Sequence, residues 1–470
     1  MARVTQTTVF ENEFISTIDA FFHTFGLVSI LKRVGAYKMK GVPAVKLFRE
    51  LFALVFQHRT MFRYVSSSST ETGKDTFYRF INSCRINWMC FTTLLAAKVV
   101  RDIIEPLTDK TRVNVFIVDD TPYERNSSKK VELLSRNYNH CEKVYYRGFR
   151  LLTLGFSDGN TFIPINSCLL ASENRKNRFC EASTVDKRSS GYKQRRLAQS
   201  GAPIAMMEMI RRAMDAGLSA SYVLFDSWFS FPCHILRLKA KNLDVIARVK
   251  KTPKVHYRYG EKMLSVPEIY KRNKKRRGRS RYLLSVPIEV CDADKKHTIP
   301  AKLVYVRNKK KPKDYVTLLS TDVSLSEKEI IRIYGKRWDI EVFFKAGKNC
   351  LQLGKECGSR SYDAMTAYTA VVFARYMMLA LENRIQRDER MFGTLFYAVC
   401  DELPDIQFAE AFVLLIKALH DAASEKLFLT EEESELLLAY FFSKLPETLK
   451  KKLLKWIPNA HKSFFESAGY

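Results

Sequence analysis

Arg112-Val113-Asn114-Val115-Phe116-Ile117-Val118-Asp119-Asp120-Thr121 is the stretch on which the fold turns. Its β-branched and aromatic run predicts a buried strand that ends in two carboxylates and a threonine. Working outward, 146–156 and 161–170 read as strands joined by the turn Ser157-Asp158-Gly159-Asn160. A polar, basic loop over about 172–199 leads into a helix near 202–216. Strand 221–225, helix 232–238 and strand 243–249 follow. Three strands, helix, strand, helix, strand is the order of a mixed α/β sheet.

Asp119 stands where the first strand is expected to end, and Asp226 where the fourth ends, in Leu224-Phe225-Asp226-Ser227-Trp228-Phe229. Carboxylates at the C-terminal ends of adjacent central strands converge on one crevice. A single Asp after a strand is commonly only a turn former or a helix cap. Two that meet repel each other and are costly to bury unless a cation joins them. Mg²⁺ suits such a pair, because it prefers hard oxygen ligands and leaves positions for phosphate and water.

The third element is a helix expected over about 326–349. It carries Tyr334, Arg337, Glu341 and Lys348. At about 100° per residue these four share a face about 60° wide. Such a face is either an exposed ion-pair surface or a site for a phosphodiester. Trp338, Val342, Phe343 and Phe344 make the helix apolar around much of its circumference, which favours the site. Glu341 would complete a metal-binding set with Asp119 and Asp226. Arg337 and Lys348 would neutralise phosphate oxygens, and Tyr334 would hydrogen-bond a phosphate or stack on a base.

The chain has 470 residues and a net charge of +28, an excess that points to a polyanionic partner. The charge is uneven. Residues 241–320 hold 23 Lys/Arg against 7 Asp/Glu, whereas 361–470 hold 12 against 16. The densest run supplies Lys271, Arg272, Lys274, Lys275, Arg276, Arg277, Arg279 and Arg281. A run of one sign repels itself unless neutralised; these residues are either a solvated loop or, as expected here, contacts to nucleic-acid phosphates. Strands are expected around it at 254–259, 281–290, 301–306 and 315–320. Residues 1–105 and 361–470 read as helical. The first region, with a serine run at 66–69 between helical stretches, is compatible with a small DNA-binding module and equally with a plain bundle. The ten cysteines contain no C-x-x-C pair, as expected of reduced thiols in a cytoplasmic protein. The start lacks the apolar segment of a signal peptide. No uncharged apolar run reaches the roughly 18–20 residues that span a bilayer, so no membrane partner is expected.

Tyr334-x2-Arg337-x3-Glu341-x6-Lys348 resembles the Y-R-E-K signature of bacterial insertion-sequence transposases of the DDE class, in the family founded on insertion sequence four. Asp119-Asp120-Thr121 is similar to that family's first-carboxylate motif, and Asp226-Ser227-Trp228-Phe229 to its second. The resemblance covers about 105–360. It implies an α/β, ribonuclease-H-like mixed sheet, with a β-rich insertion between the fifth strand and the glutamate helix and helical regions on either side. The expected organisation is then a helical region at 1–105 that recognises DNA ends, a catalytic core at 106–250 and 321–360, a basic β-strand insertion at 251–320, and a helical region at 361–470.

The resemblance further implies cut-and-paste DNA transposition. Asp119, Asp226 and Glu341 would be both catalytic residues and ligands of two Mg²⁺ ions, for which Mn²⁺ could substitute. The partners would be double-stranded DNA, as terminal inverted repeats and target, and a second copy of the chain in the synaptic complex. The setting would be the bacterial cytoplasm, at the nucleoid. Asp120 is the alternative first carboxylate, although strand alternation turns it to the other face. Some members hold a flipped base with a Trp in the insertion. Here Trp88, Trp228, Trp338 and Trp456 all lie outside 251–320, and Tyr257, Tyr259 or Tyr282 are the aromatic candidates. The rival readings are a domesticated DNA-binding protein without catalysis and a structure-selective nuclease on the same fold.

Overall fold

The computed structural model describes residues 16–37, 40–66, 72–109, 111–140, 142–277, 280–294, 296–308, 314–385, 391–427, 430, 433, 436–437, 440–441 and 443–450. One mixed sheet organises them. Its strands are β1 (Val115–Glu124), β2 (Ser135–Asn139), β3 (Val144–Ser157), β4 (Phe162–Leu170), β5 (Tyr222–Phe225), β6 (Asp244–Arg248), β7 (His256–Tyr259), β8 (Lys262–Ser265), β9 (Tyr282–Cys291), β10 (Thr298–Arg307) and β11 (Tyr315–Ser320). The order is β2-β3-β1-β5-β6-β11-β10-β9-β7-β8, with β4 also paired to β3. β4 and β1 both run antiparallel to β3, and β5 and β6 continue parallel to β1. The path β4-β3-β1-β5-β6, with only β3 reversed among the five, is consistent with a ribonuclease-H-like fold.

Val115, Phe116, Ile117 and Val118 are buried, as the apolar run requires. The strand does not stop at Asp119, however. It continues to Glu124 by pairing with β3 alone, from Asp119↔Thr153 to Glu124↔Gly148, after its partnership with β5 ends at Val118↔Phe225. Loss of apolar character marks the point where one neighbour leaves, not the end of the strand. β3 is long enough to serve two partners in succession: β2 pairs with 144–148 and β4 with 150–157.

The expected insertion is built from more than strands and is not separate from the core sheet. β8 and the helix Val266–Arg272 lie between β7 and β9. The helix is stopped sharply at its start by a Ser265/Glu268 capping box. β11 pairs antiparallel with β6 through Leu318↔Arg248, Leu319↔Ala247 and Ser320↔Ile246, so the added strands prolong the core sheet. The loop expected over 172–199 contains a helix, Ser190–Ala198, capped by the Ser189 side chain. From it Arg195 reaches Glu132 and Asp363, with nitrogen–oxygen distances of 2.5 and 2.7 Å in a buried triad.

Contacts divide the described residues into two compact units. One comprises those within Met1–Thr24, Phe56–Arg59 and Gly393–Tyr470; the other comprises those within Phe25–Val55 and Thr60–Phe392. In the first, Glu402 accepts hydrogen bonds from the Thr17 backbone N–H at 2.8 Å and from its hydroxyl at 3.1 Å. The second holds the sheet. Its helix Tyr362–Ile385 is long and apolar enough to cross a membrane, yet 89% of its apolar window is buried inside the protein. Arg375 on this helix is buried with Glu356, 2.6 Å away. The helix is a core element here, and its composition reflects burial on all sides.

Candidate active site

Asp119 and Asp226 each follow one member of the in-register pair Val118↔Phe225. The last rung of the parallel ladder therefore delivers both carboxylates to the same end of two adjacent strands. Asp226 Oδ1 accepts the Trp228 backbone N–H at 2.8 Å, which fixes the turn leaving β5. Asp120, on the alternate face, is ion-paired with Arg150 from β3.

The segment with Tyr334, Arg337, Glu341 and Lys348 is two helices, Glu327–Gly335 and Trp338–Asn349, rather than the single helix expected. Between them the Lys336 N–H bonds Ile333 O and the Arg337 N–H bonds Tyr334 O, tightening the junction to three-residue spacing. Anchors on the sheet accompany this tightening. Lys336 Nζ donates to Val113 O at 2.5 Å and Asp158 O at 3.1 Å, and the Ser157 hydroxyl donates to Asp339 at 2.7 Å. Phe343 packs among Phe162, Phe373 and Tyr376. Trp338 and Val342 stay exposed, so the apolar residues of this segment do not all serve the core.

The anchored segment turns Arg337 onto the carboxylates. Its Nη1 donates to Asp119 at 2.8 Å, and its Nη2 is ion-paired with Glu341. Lys348 Nζ donates to the Thr121 hydroxyl at 2.7 Å, two residues beyond Asp119 on the same strand face. Tyr334 is pushed up to about 12 by burial and feels the charges of Arg337, Asp226, Arg248 and Asp119. Asp119 is raised to about 7 by burial, against the lowering influence of Arg337 and with further raising by Asp120 and Asp226. Burial thus outweighs the opposing charge of Arg337 at Asp119. The donors of the centre are carboxylate oxygens, which suit a hard divalent cation. Among the described residues no three His, Cys, Asp or Glu side chains group tightly enough to hold a metal ion: Glu341 is joined to Asp119 through Arg337 rather than directly.

A family model described as a DDE superfamily endonuclease matches residues 50–312, more than half of the chain. The chain belongs to the DDE superfamily endonuclease family. Among solved structures, a chain of a piggyBac transposase synaptic complex with hairpin DNA matches at 15% identity and a TM-score of 0.43, covering 96% of this chain and 84% of that one. No curated protein matches.

The family match includes Asp119 and Asp226 but stops before Glu341, so beyond the signature resemblance the glutamate is tied to the site of this DDE superfamily endonuclease by its link through Arg337. The basic run lies apart from these contacts. Lys271 and Arg272 end the helix Val266–Arg272, so the run begins as helix rather than loop. Lys274, Arg276, Arg277 and Arg281 are exposed, and Lys275 is half-buried with its ammonium 4.6 Å from the Tyr270 ring. Arg279 lies outside the described residues. Of the aromatic candidates in 251–320, Tyr257 is fully buried and cannot receive a base. Tyr259 hydrogen-bonds Asn273 at 2.8 Å, and Tyr282 lies beneath Arg276.

Three contributors to the site were not foreseen: Arg150, which engages Asp120, and Lys336 and Asp339, which anchor the broken helix. Lys336 and Asp339 lie within the quoted signature, and their signal was polarity off the face shared by Tyr334, Arg337, Glu341 and Lys348. Arg150 had none, because its role depends on the β1–β3 register Pro122↔Arg150.

Proposed function

We propose that this chain is a DNA transposase, of the insertion-sequence-four type, that cleaves phosphodiester bonds at element ends and joins them to target DNA. The observation that carries the reading is the approach of three separated motifs: Asp119 and Asp226 each directly after the last β1–β5 rung, Val118↔Phe225, and Glu341 linked to Asp119 through Arg337. Asp119, Asp226 and Glu341 would hold Mg²⁺, which would supply the Lewis acidity that in-line phosphoryl transfer requires. Asp119 is the favoured first carboxylate, because Asp120 is engaged by Arg150. In this reading Arg337 exchanges its carboxylate partners for a DNA phosphate, and Lys348 and Tyr334 orient the strand around it. The exposed cations of 271–281 grip flanking duplex, residues 1–105 recognise the ends, and a second copy of the chain pairs two ends. Action is in the cytoplasm, at the nucleoid.

The test is incubation with a supercoiled plasmid carrying the element ends and Mg²⁺. A transposase gives nicks and integration products, and Glu341→Ala should abolish nicking while end binding persists in a gel-shift assay. Mg²⁺-dependent nicking by Glu341→Ala would refute the assignment. The family's description as an endonuclease also fits a nuclease that cuts without strand transfer. Nicks without integration would select that reading.

A further inference from the structure

A line of exposed rings interleaved with cations leads away from Asp226. Trp228, whose backbone N–H is held by Asp226, lies beneath Lys250 Nζ at 4.3 Å and near the Arg150 guanidinium at 5.4 Å. The His140 ring is 5.6 Å from Trp228, Tyr138 is 4.9 Å from His140, and Tyr145 is 5.0 Å from Tyr138. Arg136 closes the line, its guanidinium 3.9 Å from the Tyr145 ring. Strand alternation explains the hairpin's part of it. Arg136 and Tyr138 share one face of β2 and His140 follows in the same phase, while Tyr145 is the register partner of Tyr138 on β3.

A cross-strand tyrosine pair can simply brace a hairpin. That would account for Tyr138 and Tyr145. It does not account for the junction of His140 with Trp228, which comes from the turn after β5, or for Lys250, which follows β6. Nor does bracing require the exposure that remains: 63% for Tyr145, 39% for Tyr138 and 43% for Trp228. Cations lie against the end rings, Arg136 at Tyr145 and Lys250 at Trp228, and the rings still present open surface. Duplex DNA keeps its bases stacked on one another and offers ring faces only at its ends. Unpaired bases stack on successive aromatic faces with little sequence preference, while nearby cations meet their phosphates.

We propose that Tyr145, Tyr138, His140 and Trp228, with Arg136, Arg150 and Lys250, form a track for an unpaired DNA strand entering or leaving the site at Asp226. The proposal rests on the transposase reading for its choice of DNA. It differs from capture of a single base by the insertion, because the rings belong to the β2–β3 hairpin and to the turn after β5.

The probe is a dye-labelled oligothymidylate, used alone and annealed to its complement, with fluorescence anisotropy on the full-length protein. Trp228→Ala should weaken single-strand binding by about tenfold, and Tyr138→Ala with Tyr145→Ala by at least as much. Trp228→Phe should stay near wild type, and duplex binding should change less than twofold in every variant. Oligothymidylate should also quench tryptophan emission in wild type more than in Trp228→Phe, a readout that needs no destabilising variant. Equal losses on single strand and duplex, unchanged single-strand binding, or equal quenching would each overturn the track. The plasmid assay stands apart: a wild-type protein that nicks and integrates while the ring variants bind single strands normally would sink the track alone. Failure of wild type to cut any plasmid would remove the transposase reading and leave the binding result to judge the track.

Discussion

Asp119 concentrates the conflict at the centre of this molecule. Burial, opposed by Arg337 and reinforced by Asp120 and Asp226, lifts its carboxyl to about 7. In an unfolded chain the same group titrates near pH 3.9. Between roughly pH 4 and 7 the native state therefore keeps a proton that the unfolded state has released, and stability falls as pH rises through that window. Above about pH 7 the whole penalty is present. Asp119→Asn removes the titration. The difference between its urea midpoint and that of wild type, measured in EDTA, should move in favour of the variant from pH 4 to 7 and then level off. A difference independent of pH would show that Asp119 ionises normally. Arg337 cannot be understood apart from this group. Its charge keeps Asp119 from rising further, and its second contact is what holds Glu341 beside the strand ends.

At the scale of elements, legibility followed periodicity. β1, β5 and β6 were readable because their apolar runs are buried on the sheet. The end of β1 was misplaced, because pairing with β3 outlasts pairing with β5 and a sequence shows only the change in polarity. β2 was missed because Ser135-Arg136-Asn137-Tyr138-Asn139 alternates polar with exposed residues and buries only Ser135 deeply. The break at Lys336–Arg337 was invisible because both residues keep helical backbone angles; it shows only in hydrogen-bond spacing. Residue type and spacing singled out Asp119, Arg337 and Glu341, and in the structure Arg337 lies between the two carboxylates. Gly148 marks where element geometry is tightest. Its φ is +152°, and a Cβ there would collide with the Tyr123 carbonyl oxygen. Gly148→Ala should lower stability by more than about 1 kcal/mol and loosen the outer half of β1. Chemical denaturation together with hydrogen exchange at 119–124 would check both effects, and a neutral substitution would show that the hairpin shifts freely.

For the whole molecule, the net charge of +28 and its concentration near 241–320 set how DNA binding should respond to salt. Each phosphate contact contributes about 0.9 to the slope of log K against log salt on duplex DNA. Replacing Lys274, Arg276, Arg277 and Arg281 together by Gln should lower the slope by up to about four without altering sequence preference. Titrations from low to moderate salt would show this, and an unchanged slope would exclude these side chains from the contact. The ladder runs from β6 through β11 and β10 to β9, with one register shift at Tyr305/Val306, and the basic run enters that ladder at β9. Three strand spacings, roughly 14 Å at about 4.8 Å each, separate β6 from the strand that receives those cations. Such a connection acts as a jig rather than a hinged arm: the grip on flanking duplex and the place of the cut would be metered by hydrogen-bonded rungs, so lengthening the loop before β9 should leave the cleavage position where it was.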